Sequence, residues 1–573
     1  MNSLNPIYTE KRECQDCYKC LRECPVKAIK VEGGYASVVP ELCVLCGHCV
    51  AVCPSGAKRV RDDLPLARRL LRERSRVLVS LAPSFVSEFN GISPGQIIQA
   101  LKRLGFWGVS ETALGAQQVS AHVSSQLGEG TAKLMLSTAC PTVVEFMRKY
   151  QPRYAENLTG LLSPLLTHCK ILRQHYGDAI GIVFFGPCIA KKHEAARHPE
   201  LLDVALTFED LRRWLQLDAL DLDTLSAAPE DTFVPYSARE GALYPIEGGM
   251  IAGVRSNCVV NDAQCMSVSG LEAVQKALDE LDQWRPSQNL FLELLACQGG
   301  CVNGPKAQLS GATVRKRHQV IQYSQPPDQP LPRRIEVQIP EEQPAEGVAP
   351  PQFGEIQIRE AMRTVGKYSA EDELNCGGCG YDSCREFARA LLQNKAERTM
   401  CVTYMRKLAQ KKANALIGKM PSAVVIVNEQ LKIVESNPRF RALLLKGDTR
   451  ELPPGLEGVA LAEVAPFYYL FQKVLDTGND ILDRDIRFQG RILHATIFSI
   501  EPKSAVGGIL QDITEPAMQK EQTIKRAQRV LEQNLKTVQQ IAFLLGENAA
   551  ESEITLNSIV HSFSSGENED DGD

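Results

Sequence analysis

Cys14-Gln-Asp-Cys17-Tyr-Lys-Cys20-Leu-Arg-Glu-Cys24-Pro25 is matched, spacing for spacing, by Cys43-Val-Leu-Cys46-Gly-His-Cys49-Val-Ala-Val-Cys53-Pro54. Both stretches read Cys-x2-Cys-x2-Cys-x3-Cys-Pro. Three thiolates at such short intervals on a tight loop reach three corners of one iron–sulfur cubane. The fourth, displaced by its proline, reaches the neighbouring cubane. Cys14, Cys17, Cys20 and Cys53 are therefore expected to hold one [4Fe–4S] cluster, and Cys43, Cys46, Cys49 and Cys24 a second. The alternative is a pair of zinc sites, because Cys-x2-Cys pairs also bind zinc.

Working outward, the chain has 573 residues and 19 cysteines. That length implies several domains rather than one core. Hydrophobic residues make up 44% and charged residues 23%, as in ordinary globular proteins. A net charge of −5 gives no reason to expect a nucleic-acid partner. No apolar run is long enough to span a membrane, so no membrane span is expected. Met1-Asn2-Ser3-Leu4 lacks the basic start of a signal peptide, which points to the cytoplasm. In that reducing compartment so many cysteines are better explained by metal than by disulfides.

Residues 1–62 resemble the bacterial two-cluster ferredoxins, on the strength of the doubled motif and both prolines. A second cysteine pattern, Cys376-Gly-Gly-Cys379-Gly-Tyr-Asp-Ser-Cys384 with Cys401 further on, resembles the small four-cysteine iron–sulfur domain of Rnf-type electron-transfer and corrinoid iron–sulfur proteins. Its glycines let the backbone wrap closely around a cofactor, and the helical composition of Arg385 to Met400 would carry Cys401 back to the loop. The resemblance implies a third accessory [4Fe–4S] cluster in residues 353–411, with a zinc knuckle as the alternative.

Between these segments, residues 75–320 alternate strand-like and helical patterns. Val77 to Leu81, Leu134 to Ser137 and Ile180 to Phe185 read as buried strands, and Pro94 to Leu104 as an amphipathic helix, which argues for an α/β domain. In such sheets ligands sit off the carboxyl ends of strands. Two of those ends are Ser137-Thr138-Ala139-Cys140-Pro141 and Gly186-Pro187-Cys188-Ile189-Ala190-Lys191-Lys192-His193-Glu194, and a third cysteine segment is Ala296-Cys297-Gln-Gly-Gly-Cys301. Each alone would pass for packing. Together, in this order, they resemble the three signature segments of the [FeFe]-hydrogenase catalytic domain. The resemblance implies that Cys140, Cys188, Cys297 and Cys301 ligate the cubane of the H-cluster, with Cys301 bridging to a two-iron subcluster that carries CO and cyanide. It also implies that Lys191 donates to a cyanide, and Glu194 matches the glutamate of the same segment.

Departures from the family pattern carry as much weight. Ala139 stands where main-group hydrogenases have a proton-relaying cysteine. The family's Gly-Ala-Asp-x-Thr-x-x-Glu-Glu segment reads Gly115-Ala116-Gln117-Gln118-Val119-Ser120-Ala121-His122-Val123, without its carboxylates. Gly186 and Leu295 replace methionines, and Asn303-Gly304-Pro305-Lys306 replaces a glycine-rich close. A broken chain of titratable groups slows proton delivery without removing the cofactor. Cys169, Cys258 and Cys265 fit no ligand spacing and read as core or surface thiols. His168 and His175 are expected to pack or face solvent.

Residues 321–352 form the expected linker, with eight prolines from 325 to 352, stiff and without a core. Residues 412–515 resemble a PAS sensor domain in their strand–turn–strand–helix pattern, from Met420 to Pro438, followed by strands at Ile492 to Ile500 and Ala505 to Thr514. In residues 516–573, Ile524, Leu531, Val538 and Leu545 recur every seven positions, with Ala527, Asn534 and Ile541 on the second seam. That pattern predicts a short coiled coil, and so a homodimer through the C-terminal helix, or else one amphipathic helix packed on the preceding domain. The acidic tail from Glu567 to Asp573 reads as unstructured.

The fold class expected is multidomain α/β and α+β. Three functions follow. The leading one is a sensory hydrogenase that binds or slowly turns over H2 and protons, passing electrons to the PAS domain and a downstream signalling protein. The second is a metabolic hydrogenase exchanging electrons with a redox partner such as ferredoxin. The third is a non-catalytic iron–sulfur protein without the two-iron subcluster.

Overall fold

In the computed structural model the described residues are 5–129, 134–257, 264–281, 283, 289–308, 311–325, 333–445, 455–514 and 529–538. They fall into two units, Met1–Met400 and Cys401–Asp573.

The first unit begins with two small antiparallel ribbons, Ile7–Thr9 with Lys58–Val60 and Ile29–Glu32 with Tyr35–Val38. Two short helices, Lys19–Arg22 and His48–Val52, each carry the third cysteine of a motif. The sequence repeat is also a backbone repeat. Asp16 and Leu45, then Tyr18 and Gly47, hold positive φ at the same two places in each motif. Ordinary side chains avoid that region unless the surroundings over-determine it. Here it curls each loop so that its cysteines face inward.

Two parallel sheets follow. One runs Gly108–Glu111, Val77–Leu81, Gly181–Gly186, Val204–Thr207 in spatial order, and the other Cys265–Ser269, Leu290–Leu295, Leu134–Leu136. The four strands of the first sheet are buried along their whole length, which is why their sequences are near-continuous apolar runs rather than alternating ones. The strands expected at 77–81, 134–137 and 180–185 are present within a residue or two. So is the helix Pro94–Arg103, which Ser93 and Gln96 close with a capping box. Helix Ala113–Glu129 crosses Pro164–Tyr176 at Gly115, where a Cβ would stand 2.1 Å from the Pro164 carbonyl oxygen.

The proline-rich segment is not a coreless linker. From Arg333 to Val348 it lies as a strap across the sheet domain. Val337 and Ile339 are 2% and 0% exposed within the main apolar core. Its backbone is bonded throughout: the Glu336 N–H donates to Gln118, the Leu162 N–H to the Ile339 carbonyl, and the Glu341 N–H to the Gly160 carbonyl. Buried Arg148 holds its far end, donating to the Pro344 carbonyl and pairing with Glu145 and Glu346. Prolines remove donors only at their own positions. The residues between them alternate as Ile335-Glu-Val337-Gln-Ile339, a half-buried strand pattern that proline content masks.

Beyond the strap, Glu355–Arg363 packs on Cys384–Leu392. The continuous helix expected from Arg385 to Met400 breaks at Asn394, whose φ of 54° and the bond from the Lys395 N–H to the Ala390 carbonyl make a left-handed terminus.

The second unit opens with helix Val402–Lys419, which runs across the boundary expected at 411/412. Its sheet is five-stranded and antiparallel, in the spatial order Ile433–Ser436, Ala423–Asn428, Ala505–Asp512, Arg491–Glu501, Ile481–Phe488. Phe440, Phe467 and Phe471 from the connecting helices fill its core against Leu493, Ile497 and Val506. Asn437, 2% exposed, ties the first strand to the helix after it through bonds to the Val424 and Phe440 N–H groups. Of the expected heptad positions, residues 529–538 are helical with Asn534 buried; Ile524, Ala527, Ile541 and Leu545, with Cys258 and the acidic tail, lie outside the described residues. Among the described residues no helix is long and apolar enough to cross a membrane.

Candidate metal centre

Both parallel sheets direct their carboxyl ends at one place. Leu134–Leu136 runs on to Cys140, Gly181–Gly186 to Cys188, and Leu290–Leu295 to Cys297 and Cys301. Each cysteine follows a strand because a strand end is where backbone can turn outward without breaking the ladder. Cys140 caps helix Pro141–Tyr150, and Cys301 opens a short 3-10 turn. Gly300, at φ 103°, makes the tight return between the last two: a Cβ there would lie 2.4 Å from the Pro245 carbonyl oxygen.

The four thiols line one cavity of about 110 Å³. Burial first, and then Cys301, Cys188 and Cys140, push the Cys297 thiol well above its ordinary range. Cys301 is pushed up by burial and then by Cys140 and Cys188. Thiols this close cannot all ionise in an apolar pocket without a compensating cation, so the donor set fits a thiolate-bound metal group. Lys191 enters the same cavity, 9% exposed. It donates to Glu194 at 2.7 Å and to Ser163 Oγ at 3.0 Å, and Ser163 in turn donates to Glu194 at 3.2 Å. Burial opposes its charge; Glu194, Cys188 and Cys140 outweigh that and hold its pKa above the usual value. The structure thus brings Lys191, Glu194 and all four cysteines together.

The sequence reading missed three further wall residues. Ser84, three residues past the end of strand Val77–Leu81, has a buried hydroxyl without a hydrogen-bond partner facing the cavity. It follows a buried strand directly, the signal that marked the cysteines. Glu293 is 1% exposed and accepts the Met250 and Ile251 N–H groups; burial lifts its pKa to about 7. An acid in the apolar run Leu-Phe-Leu-Glu-Leu-Leu was its signal. The third is Cys46, which joins the wall from the amino-terminal segment.

Cys46 belongs to the second motif, which is pressed onto the sheet domain. A Cβ on Gly47 would stand 2.6 Å from Pro305, Lys149 donates to the Cys43 carbonyl at 2.8 Å, and Tyr150 to the Leu42 carbonyl at 2.6 Å. The two sets of four are each grouped. The neighbours acting on Cys20 are Cys14, Cys17 and Cys53, and those on Cys49 are Cys46, Cys43 and Cys24. Among the described residues no three His, Cys, Asp or Glu side chains converge as one metal ion would require; four sulfurs on a single zinc would stand about 3.8 Å apart, given a Zn–S bond of about 2.3 Å.

Cys376, Cys379 and Cys384 lie on a loop whose end is fixed by the Asn375 side chain accepting the Cys384 N–H at 2.8 Å. Cys401 opens the second unit, 6% exposed, at the N-terminus of helix Val402–Lys419. Ala139 stands in the cavity wall beside Cys140. The Gln117 to Val123 stretch lies on the buried face of helix Ala113–Glu129, where Gln118 and His122 bond the strap: Gln118 Nε2 donates to the Arg334 carbonyl at 3.2 Å, and His122 Nε2 to the Val337 carbonyl at 2.8 Å. His168 is fully buried between Ser80 and Ser110 at 2.8 Å each, and burial lowers its pKa to about 3. Cys169 and Cys265 are core thiols.

Residues 75–305 match the family model of the iron-only hydrogenase large subunit, C-terminal domain; residues 13–57 match a 4Fe-4S dicluster domain and 372–403 a putative Fe-S cluster. The NADP-reducing hydrogenase subunit HndD of Solidesulfovibrio fructosivorans is 26% identical over 394 residues, covering 56% of this chain and 67% of that one. The periplasmic [Fe] hydrogenase large subunit of Nitratidesulfovibrio vulgaris is 22% identical over 367 residues, covering 53% of this chain and 86% of that one. A solved [FeFe]-hydrogenase from Chlamydomonas reinhardtii has 16% identity and a TM-score of 0.40, covering 50% of this chain and 100% of that one. With the cysteine quartet gathered at the strand ends and these matches laid over the same residues, the chain belongs to the [FeFe]-hydrogenase family.

Proposed function

We propose that the protein is a sensory [FeFe]-hydrogenase, which binds or slowly turns over H2 and relays electrons through [4Fe–4S] clusters toward a PAS signalling domain. Cys140, Cys188, Cys297 and Cys301 would hold the cubane of the H-cluster, with Cys301 shared with a two-iron subcluster. When bound, that group supplies the reversible chemistry 2 H⁺ + 2 e⁻ ⇌ H2. Lys191, fixed by Glu194 and Ser163, would set a positive charge against its anionic ligands. Ser84 would add a hydrogen bond to them. Three accessory clusters would carry electrons: one on Cys14, Cys17, Cys20 and Cys53, one on Cys43, Cys46, Cys49 and Cys24, and one on Cys376, Cys379, Cys384 and Cys401. Cys46 in the cavity wall supports an electron entry there. The strand order and helix-filled core of the second unit support the PAS reading, with a redox partner such as ferredoxin at one end and a downstream signalling protein at the other.

The observation that carries the sensory reading is the wall at Ala139. No proton-bearing side chain stands at that position, and Gln118 and His122 are committed to strap carbonyls. Glu293, with its pKa near neutrality, favours the second reading, a metabolic hydrogenase with another proton path. Hydrogen turnover by the maturated wild type and Ala139→Cys separates them. A positioned proton-transfer group is worth roughly 10²-fold or more. The sensory reading expects a slow wild type that accelerates by that order; a fast wild type unmoved by the substitution overturns it. Absence of CO and cyanide infrared bands in the maturated protein would leave only the third reading, an iron–sulfur protein without the subcluster.

A further inference from the structure

The four-cysteine loop is docked on the amino-terminal cluster segment, and on one side of it in particular. Lys27 is the pin. Its Nζ donates to the Leu21 and Arg22 carbonyls and, across the junction, to the Gly380 carbonyl at 3.2 Å. Asp382 lies 3.8 Å from the same nitrogen. The Val31 N–H donates to the Lys395 carbonyl at 2.9 Å, and the Gly33 N–H to Glu397 at 2.6 Å. Gly380, at φ 92°, lets its backbone close on Leu21: a Cβ there would stand 2.9 Å from the Leu21 side chain.

This contact falls at the end of the first motif, where Cys24 leaves for the second cluster. Cys24 Sγ accepts the Ala28 N–H at 3.3 Å, one residue past the pin. Tyr381 sits in the junction, two residues after Cys379, and is 4% exposed. Its ring packs at 5.9 Å on Phe387, and its hydroxyl has no hydrogen-bond partner. Cys379 and Cys24 are the two charged groups that, after burial, act on that hydroxyl. A buried O–H left without an acceptor costs about 1–3 kcal/mol, so an acceptor that the amino acids do not supply is called for. Cluster sulfur is the acceptor chemistry available between two cysteine ligand sets.

We infer that Tyr381 is the positioning residue of a direct electron junction between the cluster on Cys43, Cys46, Cys49 and Cys24 and the cluster on the Cys376–Cys384 loop, its hydroxyl donating to cluster sulfur. The route from the buried cavity then runs through Cys46, crosses that cluster to Cys24, and passes to the four-cysteine module at Tyr381. The cluster on Cys14, Cys17, Cys20 and Cys53 becomes a side branch open to a separate redox partner. One electron moves per step: the first cluster is oxidised from 1+ to 2+ as the second is reduced from 2+ to 1+, and no proton transfers. The junction rests on the reading of both segments as iron–sulfur sites and is independent of the two-iron subcluster.

The test uses the full chain reconstituted anaerobically with iron and sulfide, without maturation, and follows each cluster by EPR-monitored redox titration. A hydrogen bond to sulfur stabilises the reduced, more negative cluster. Tyr381→Phe is therefore expected to shift one cluster's midpoint potential negative while the Cys14-set cluster stays in place. Lys27→Met, which loosens the pin, is expected to weaken the magnetic interaction between the two clusters at the junction in the fully reduced protein, with iron content unchanged. A loaded loop whose potentials ignore Tyr381→Phe and whose reduced clusters show no interaction overturns the junction alone. A wild type with no iron on the Cys376–Cys384 loop overturns the junction together with the reading it rests on. Hydrogen turnover enters neither measurement.

Discussion

Ile339→Ala decides between a strap and a linker. Ile339 is fully buried in the main apolar core, and its carbonyl accepts the Leu162 N–H at 2.9 Å. Removing three carbons forfeits about 2.4 kcal/mol of transfer free energy, at about 0.8 kcal/mol per methylene. The cavity left behind adds to that, and measured truncations of this kind cost about 2–5 kcal/mol. A loss of about 3 kcal/mol corresponds to a fall in Tm of about 6–12 °C for a domain of this size. The backbone bond to Leu162 survives the substitution, so the effect reports packing alone. Thermal unfolding of the full chain, followed by calorimetry, measures it. Glu342→Ala, exposed on the same segment, is the matched control and should stay within about 0.5 kcal/mol of wild type. If Ile339→Ala behaves like that control, the segment is not packed in solution, and the account of Gln118 and His122 as strap anchors goes with it.

Cys53→Ala should abolish the cluster that otherwise comes from the first motif and leave the one held by Cys43, Cys46, Cys49 and Cys24, read as separate EPR signals; loss of the second-motif cluster instead would refute the crossed ligation. Glu111, buried at the end of its strand, accepts from Tyr323 and the Ala238 N–H, and burial raises its pKa to about 6. A carboxyl raised in the folded state contributes stability that is fully present below pH 4.5 and is lost as pH rises through 6, at most about 2 kcal/mol at about 1.36 kcal/mol per unit. Glu111→Gln should flatten the stability profile across that window, and a profile unchanged in slope would count against it. Ser84→Ala should leave the Tm of unmaturated protein level or slightly raised, since an orphaned hydroxyl is removed. In maturated protein it should move the cyanide infrared bands; unmoved bands would take Ser84 out of the cofactor's reach.

What was legible in the sequence was local. Cysteines two or three residues apart sit on one loop, so the ligand sets of the amino-terminal motifs could be read from spacing, and apolar runs such as Val77–Leu81 announced buried parallel strands. Cys140, Cys188 and Cys297 were legible because each follows a strand. Ser84 and Glu293 carried weaker versions of the same signals, a strand end and an acid in an apolar run, and were passed over because serine and glutamate have many ordinary uses. The strap was misread for a different reason. Its prolines dominate composition, whereas its burial is decided by Val337 and Ile339 meeting a surface about 170 to 220 residues earlier in the chain, an encounter that no local window contains.

That long-range encounter also bears on function. Gln118 accepts the Glu336 N–H through its oxygen and donates to the Arg334 carbonyl through its nitrogen, while His122 donates to the Val337 carbonyl. An ionised carboxylate at either place could accept but not donate, and it would face a carbonyl lone pair in a buried setting. The strap as bonded here therefore requires neutral donors at both positions, and a carboxylate proton path through this helix requires the opposite. The two cannot share these residues. On this physics the loss of titratable groups from helix Ala113–Glu129 is the condition for closing the helix under the strap, and slow proton delivery to the cavity follows from the same hydrogen bonds that hold the strap down.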